Sequence, residues 1–417
     1  MAELPFQRVV LENGLTLLFH RNPTVPLLSL CVFFLAGKDQ NPLESPGLAS
    51  LTARLLDEGT ENLEEDQISN ILEGIGAELT TFSERELSGA YLNLQRGDLE
   101  LGVRLLADMV QRPTFPKARL DLERLQIVNH ILAMQDDPQV IGSQRLNQWI
   151  YQGTPLAHPV LGSVESVRSL TRDDVVAFHE HRFGPKNCVF VAVGDADFGE
   201  LVDTVNLQFG DWVNPKFELI DIGGLERQHK PIVDHLPMDK EQVNIFLGHL
   251  GVTRTHPDFY ALQVMDTILG GGPGFTSRVP QRLRDEQGLA YLTYADLAGS
   301  SGVYPGRFVA FVGTAPENGK RALRSLEHEI AQFLEEGPDA EELEIAQDFL
   351  TGSFVFEFQT NSSIARLLLS IEVFSLERGF LSRYPDLVRA VTLSDVRRVA
   401  ARHLDTINYT TVIVGSL

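Results

Sequence analysis

Residues 47–60 read Gly47-Leu48-Ala49-Ser50-Leu51-Thr52-Ala53-Arg54-Leu55-Leu56-Asp57-Glu58-Gly59-Thr60. They follow an apolar strand over residues 28–36 and a loop, and they read as a helix over Pro46–Glu58. The polar side chains on this helix matter for what they cannot do. Zinc is held by imidazole, thiolate or carboxylate at about 2 Å. Ser50 is a poor ligand, Ala53 is none, and Arg54 is a fixed cation that repels a metal.

The glycine-bounded frame Gly47-Leu48-Ala49 … Gly59-Thr60 resembles the metal-binding helix of the pitrilysin/insulinase-type peptidases, the inverzincins. In that family Gly-Leu-Ala is followed by His-x-x-Glu-His, two zinc ligands around a general base. Ser50, Ala53 and Arg54 stand in those places here. The resemblance extends along the chain in order. It takes in Leu11-Glu12-Asn13-Gly14-Leu15-Thr16, Gly74–Phe82, His158-Pro159 with Gly162, Leu170-Thr171, Phe183-x-Pro185-x-Asn187 and Val391-Thr392-Leu393. The pattern is most similar to the bacterial branch related to mitochondrial processing peptidase. It implies a fold, a zinc-peptidase ancestry and a lost metal centre. Active members complete the site with a Glu on a later helix. The matching helix here is Asp121–Asp137, and the ligand position falls at Asn129 or His130, neither a carboxylate.

The chain also repeats itself. Residues 170–195 align with 391–415 without a gap on sliding by 221 positions. Thr171 meets Thr392, Asp174 meets Asp395, Asn187 meets Asn408, and Val193-Gly194 meets Val414-Gly415. Each copy reads as a Thr-capped helix, a turn and an alternating strand. The strand over 28–36 with its helix matches a strand over 242–250 followed by an Asp258–Leu269 helix. Periodicity fades in Val213–Pro231, where Pro, Gly and charge cluster. The expectation is an α+β fold of two homologous domains, 1–213 and 232–417, each a mixed sheet with helices packed on one face. Long helical patterns fill each half, among them Asp121–Met134 with an apolar face through Leu125, Val128, Ile131 and Leu132.

Composition narrows the function. The chain has 417 residues and a net charge of −22, which argues against nucleic acid or an anionic membrane as partner. Its two cysteines, Cys31 and Cys188, sit in apolar strand-like runs and read as buried hydrophobes. No apolar run reaches 18 residues and the first residues carry no apolar signal core, so a cytoplasmic location is expected. The eleven His form no H-E-x-x-H or H-x-x-E-H pattern, and His179-Glu180-His181 and His328-Glu329 read as helix-surface groups.

A second stretch, Leu269–Tyr291, carries Gly270-Gly271-Gly272, a loop, and a new helix from about Ser277. No Gly-Lys-Ser/Thr follows, so it is no P-loop. It resembles the family's C-terminal motif of Gly-Gly-Gly, Ser-Arg and Leu-Arg-x-x-x-Gly-Leu-Ala-Tyr, whose Arg and Tyr bind the peptide backbone and the oxyanion. The matching residues are Arg284 and Tyr291. A guanidinium and a phenol can stabilise the charge that builds on a scissile carbonyl. Read bottom-up, Arg284 pairs with its neighbours Asp285 or Glu286, and Tyr291 is a core residue.

The resemblance therefore implies a dismantled zinc half and a retained Arg/Tyr half. That fits the zinc-less subunit of a heterodimeric peptidase. Zinc is expected only in a partner subunit of similar length, the two chains forming a clam-shell around a peptide substrate. A homodimer of the isolated chain stays open. The alternative is a structural or peptide-binding protein of the same fold with no role in proteolysis.

Overall fold

The computed structural model describes residues 4–272 and 277–416. It is an α+β protein with two mixed sheets. The first sheet has six strands in the order β1-β2-β6-β3-β5-β4. These are β1 (Gln7–Val10), β2 (Thr16–Arg21), β3 (Leu27–Phe34), β4 (Glu78–Ser83), β5 (Ser88–Gln95) and β6 (Cys188–Gly194). The second has five, β7 (Ile232–Leu236), β8 (Val243–Leu250), β9 (Leu292–Asp296), β10 (Arg307–Thr314) and β11 (Thr410–Val414), in the order β7-β11-β8-β10-β9.

The two orders are one pattern. β6 lies between β2, parallel to it, and β3, antiparallel. β11 lies in the same way between β7, parallel, and β8, antiparallel. The 221-residue repeat has a local cause that recurs in three dimensions. Thr171 and Thr392 each cap a helix, Arg172–Arg182 and Leu393–His403, and each exchanges side-chain and backbone hydrogen bonds with the Asp three residues on. Each helix then delivers the chain to an interior strand of its sheet. Capping boxes of this kind satisfy orphan donors at the helix start and fix its register.

The chain divides into two compact units, but not at one point. Unit 1 holds residues 1–133, 153–222 and 357–378, and unit 2 holds 134–152, 223–356 and 379–417. The main crossing, after Ile222, falls inside the Val213–Pro231 stretch. The contiguous ranges 1–213 and 232–417 need correction, because each half of the sequence gives one helix to the other unit. Pro138–Ile150 packs on β8 and β11 of unit 2, and Asn361–Val373 packs on β3 and β6 of unit 1.

This exchange changes the layer count as well. On β3, Leu28, Leu30, Val32 and Phe34 face the main core with the helices of unit 1. The alternate positions, Cys31 and Phe33, are equally buried, and Ser29 Oγ lies 3.0 Å from Ser362 Oγ of the incoming helix. So the sheet is covered on both faces at β3 and β6, not on one, which is why β3 is apolar at all its positions but Ser29. In unit 2 the close seat is glycine's work. A Cβ on Gly142 would lie 2.2 Å from Cε2 of the buried Phe246 ring. Arg145 and Trp149 of the same helix both donate to Asp234 Oδ2, at 2.5 and 2.6 Å.

Candidate functional site

In unit 1 the helix Leu48–Arg54 starts at Gly47, whose φ of 93° lies in the left-handed region. A Cβ there would meet the Leu161 carbonyl oxygen at 2.5 Å, so the position needs glycine twice over. The Ala49 N–H donates to Asn41 Oδ1 at 2.7 Å, satisfying one orphan donor of the first turn. Ser50 and Ala53 are buried. Arg54 reaches into a cleft of about 390 Å³ that Ser50, Asp57, Glu123 and Gln126 also line. Its Nη1 donates to Glu123 Oε2 at 3.3 Å, and Glu123 is nearly buried. Burial, with Glu58 and Glu123 adding repulsion, pushes the Asp57 carboxyl up to about 6. Glu58 itself pairs with Arg119.

The residues present do not fit a zinc ion. The ligand-type groups there are the carboxyls of Asp57, Glu58 and Glu123; guanidiniums already pair with Glu58 and Glu123, and among the described residues no imidazole or thiolate lines the cleft. His130 and Asn129 are exposed, and neither borders the cleft. The residue of the Lys117–Met134 helix that faces Arg54 is Glu123, seven positions before His130. Seven residues are two helical turns, so the two share a stripe and a shift along it was the available signal. Periodicity found part of this helix's buried face, since Val128 is buried and Ile131 packs against the core, but not all of it. Leu120, Ile127 and Val128 are buried, while Leu125 and Leu132 are exposed.

Among the described residues, one further group brings metal-ligand side chains together. His256, Asp258 and His403 of unit 2 bring ligand atoms within 4.8 Å of one another. Asp258, however, already accepts from Arg398 at 2.6 Å, from Arg402 at 3.3 Å and from His403 at 2.8 Å. These partners hold its carboxyl down at about 2 against the effect of burial. Two guanidiniums on one carboxylate oppose a metal cation, and the cluster reads as a tie between two helices.

The Gly-rich stretch also lies in unit 2. The helix Phe259–Asp266 widens into a π-helical turn, Thr267–Gly271. Such turns occur where a helix is locally under constraint. The constraint here is β9: a Cβ on Gly270 would lie 2.2 Å from the Ala295 nitrogen. Gly271 is exposed. The Gly272 N–H donates to Ser277 Oγ at 3.0 Å, which in turn donates to the Thr267 carbonyl at 3.1 Å. Pro273–Thr276 lie outside the described residues. A second helical stretch runs from Arg278 through a π-helical turn, Gln281–Glu286, and stops near Gly288, which has a φ of 61°.

Arg284 lies on that turn. It binds Asp285 in a two-pronged pair, Nε to Oδ1 at 2.8 Å and Nη2 to Oδ2 at 3.2 Å. This pairing raises the guanidinium above its ordinary value. Tyr291 precedes β9 and is 89% exposed, so it is not a core residue. The site thus holds an accessible phenol, an arginine on the surface of its turn, and a glycine segment laid against the strand.

These features define a duplicated α+β protein whose Leu48–Arg54 helix carries an ion pair, Arg54 with Glu123, in its cleft. The comparisons with known proteins agree. The family described as Insulinase (Peptidase family M16) matches residues 16–164, and the one described as Peptidase M16 inactive domain matches 169–350. The chain belongs to peptidase family M16. An uncharacterized zinc protease of Streptomyces coelicolor is 26% identical over 94% of this chain and 86% of its own length. One from Mycobacterium tuberculosis is 27% identical over 99% and 94%. A crystal structure of a peptidase M16 inactive domain from Pseudomonas fluorescens shares 25% identity with a TM-score of 0.92, covering 99% of both chains. A Helicobacter pylori protease shares the fold, with a TM-score of 0.89 at 18% identity over 98% of this chain and 99% of its own.

Proposed function

We propose that this chain is the zinc-less subunit of a two-chain zinc peptidase of the cytoplasm. Its partner is a chain of similar length that carries the metal, and its substrate is a peptide. The observation that carries the reading is the contrast between the two units' sites. The Arg54–Glu123 pair occupies the place of the ligand set, whereas Tyr291 is open to solvent and Arg284 lies near the surface of its turn. An accessible phenol and guanidinium are what a developing oxyanion or a peptide carbonyl would meet. Of Gly270, Gly271 and Gly272, the exposed Gly271 would let the peptide backbone approach closely, while Gly270 is buried against β9. In this reading the partner would supply the zinc, and this chain binds and orients the peptide.

The experiment is a reconstituted complex with the zinc-bearing chain. Arg284→Ala and Tyr291→Phe should each leave assembly intact and lower turnover about tenfold or more, the scale of a lost transition-state donor. Unchanged kinetics in both variants would favour the second reading, a peptide-binding or structural protein without a role in proteolysis. The engagement of Arg284 by Asp285 is the observation on that side.

A further inference from the structure

The π-helical turn Thr267–Gly271 and strand β9 touch backbone to backbone at Gly270 and Ala295. Two carboxyls bracket that junction. Asp266 ends the helix just before the turn, and Asp296 ends β9 one residue beyond Ala295. Asp266 is 5% exposed. Its Oδ2 accepts from the Ala298 N–H at 2.7 Å, and its Oδ1 has no donor among the described residues. The side chain it does face, within hydrogen-bonding reach, is Asp296. Asp296 Oδ1 accepts in turn from the Gly299 N–H at 3.0 Å.

Two ionised carboxylates are acceptors only, and with Asp266 buried and Asp296 half-buried beside it, the two do not both carry charge. The other charged or titratable groups facing the pair are Arg307 on β10 and Tyr294 on β9. Arg307 already donates to the Ser143 carbonyl, Ser143 Oγ and Asn147 Oδ1, so its charge is shared with another set of acceptors. Burial, and then the neighbouring carboxyl, push Asp266 well above the usual carboxylate range.

We infer that Asp266 and Asp296 share one proton, and that this carboxyl–carboxylate bond clamps the Gly270–Gly272 turn to the far end of β9, the strand that Tyr291 leads into. Both are positioning residues; neither touches a substrate. The functional part rests on the proposed use of Tyr291, while the shared proton does not. Loss of the proton to solvent at alkaline pH leaves two carboxylates in contact, and the clamp opens.

The test uses the full chain alone. An infrared difference spectrum of wild type minus Asp296→Asn near neutral pH should show the C=O stretch of a protonated carboxylic acid. In the variant the amide donates to Asp266, which becomes an ordinary carboxylate. Hydrogen exchange of segments 267–272 and 292–298, corrected for the intrinsic effect of pH, should speed up about tenfold from neutral to alkaline pH in wild type, the response to a one-unit shift. It should stay flat in Asp296→Asn. Asp266→Asn, with the amide on the other partner, should behave alike. No acid band in the difference spectrum, or the same exchange response in wild type and variants, overturns the inference. If both results hold but Tyr291→Phe leaves the complex's kinetics unchanged, the clamp stands and the functional reading falls.

Discussion

At the scale of single residues, Arg54 is the informative substitution. A guanidinium cannot lose its proton in a protein, so it satisfies Glu123 at every accessible pH, as a metal ion would, and leaves no ligand vacancy. The purified chain, incubated with zinc and passed through gel filtration, should therefore retain well under one ion per chain. About one tightly held zinc that disappears in His130→Ala would contradict this. That Ser50, Ala53 and Arg54 offer no His or Glu was legible in the sequence, because it concerns positions within one helix. The Arg54–Glu123 contact was not, because it joins residues 69 positions apart and depends on the rotation of a second helix. Asp39 carries a different prediction. It is 3% exposed, accepts from Gln40 Nε2 at 2.9 Å, and Gln40 also binds the Ile220 backbone. Burial, with Glu86 adding, pushes Asp39 up to about 7 from 3.8. The folded state therefore holds a proton that the unfolded chain has released between about pH 4 and pH 7. Stability contributed here is full below the unfolded value, falls as pH rises through that window, and levels off above it, a change of at most ~4 kcal/mol. Asp39→Asn should flatten this dependence and melt higher than wild type at pH 8.

At the scale of elements, caps and strands were readable and faces less so. Thr171 with Asp174, and Thr392 with Asp395, announce their helices locally, and the strands after them keep their register. The Lys117–Met134 helix is apolar on more than one side, so periodicity alone could not decide between Leu125 and Ile127 as the buried residue. The packing of β4 beside β5 and of β9 beside β10 leaves both at the edges of their sheets, which no local pattern stated. Gly142 offers a direct test of the helix–sheet contact in unit 2. Ala is the better helix former by up to ~1 kcal/mol. The added Cβ would strike the Phe246 ring at 2.2 and 2.7 Å, and overpacking of that kind costs about 1–3 kcal/mol. The clash should win: Gly142→Ala should lower the melting temperature. A neutral or stabilising result would mean that the helix sits further from β8 than described.

At the scale of the whole molecule, the exchange of helices makes the two units interdependent. Periodicity shows that Pro138–Ile150 and Asn361–Val373 have faces to bury; it does not say on which sheet, and proximity in sequence points to the wrong one. A fragment ending at Ile222 would contain all six strands of the first sheet but not the helix that covers Cys31 and Phe33. It would carry in its place a helix whose apolar contacts belong to β8 and β11. Such a fragment should bind a hydrophobic dye and aggregate, and adding the complementary 223–417 fragment should rescue both defects. A monomeric, cooperatively melting 1–222 fragment would contradict the exchange.

The same feature sets a schedule on the ribosome. Strand β6 emerges before residue 195, yet the helix that closes the second face of its sheet is encoded only from Asn361. At about 5–20 residues per second the nascent first unit waits roughly 8–35 s with that face bare. For that interval its β3 and β6 surfaces are available to any nearby chain or chaperone, and slowing translation downstream of residue 222 would lengthen the exposure.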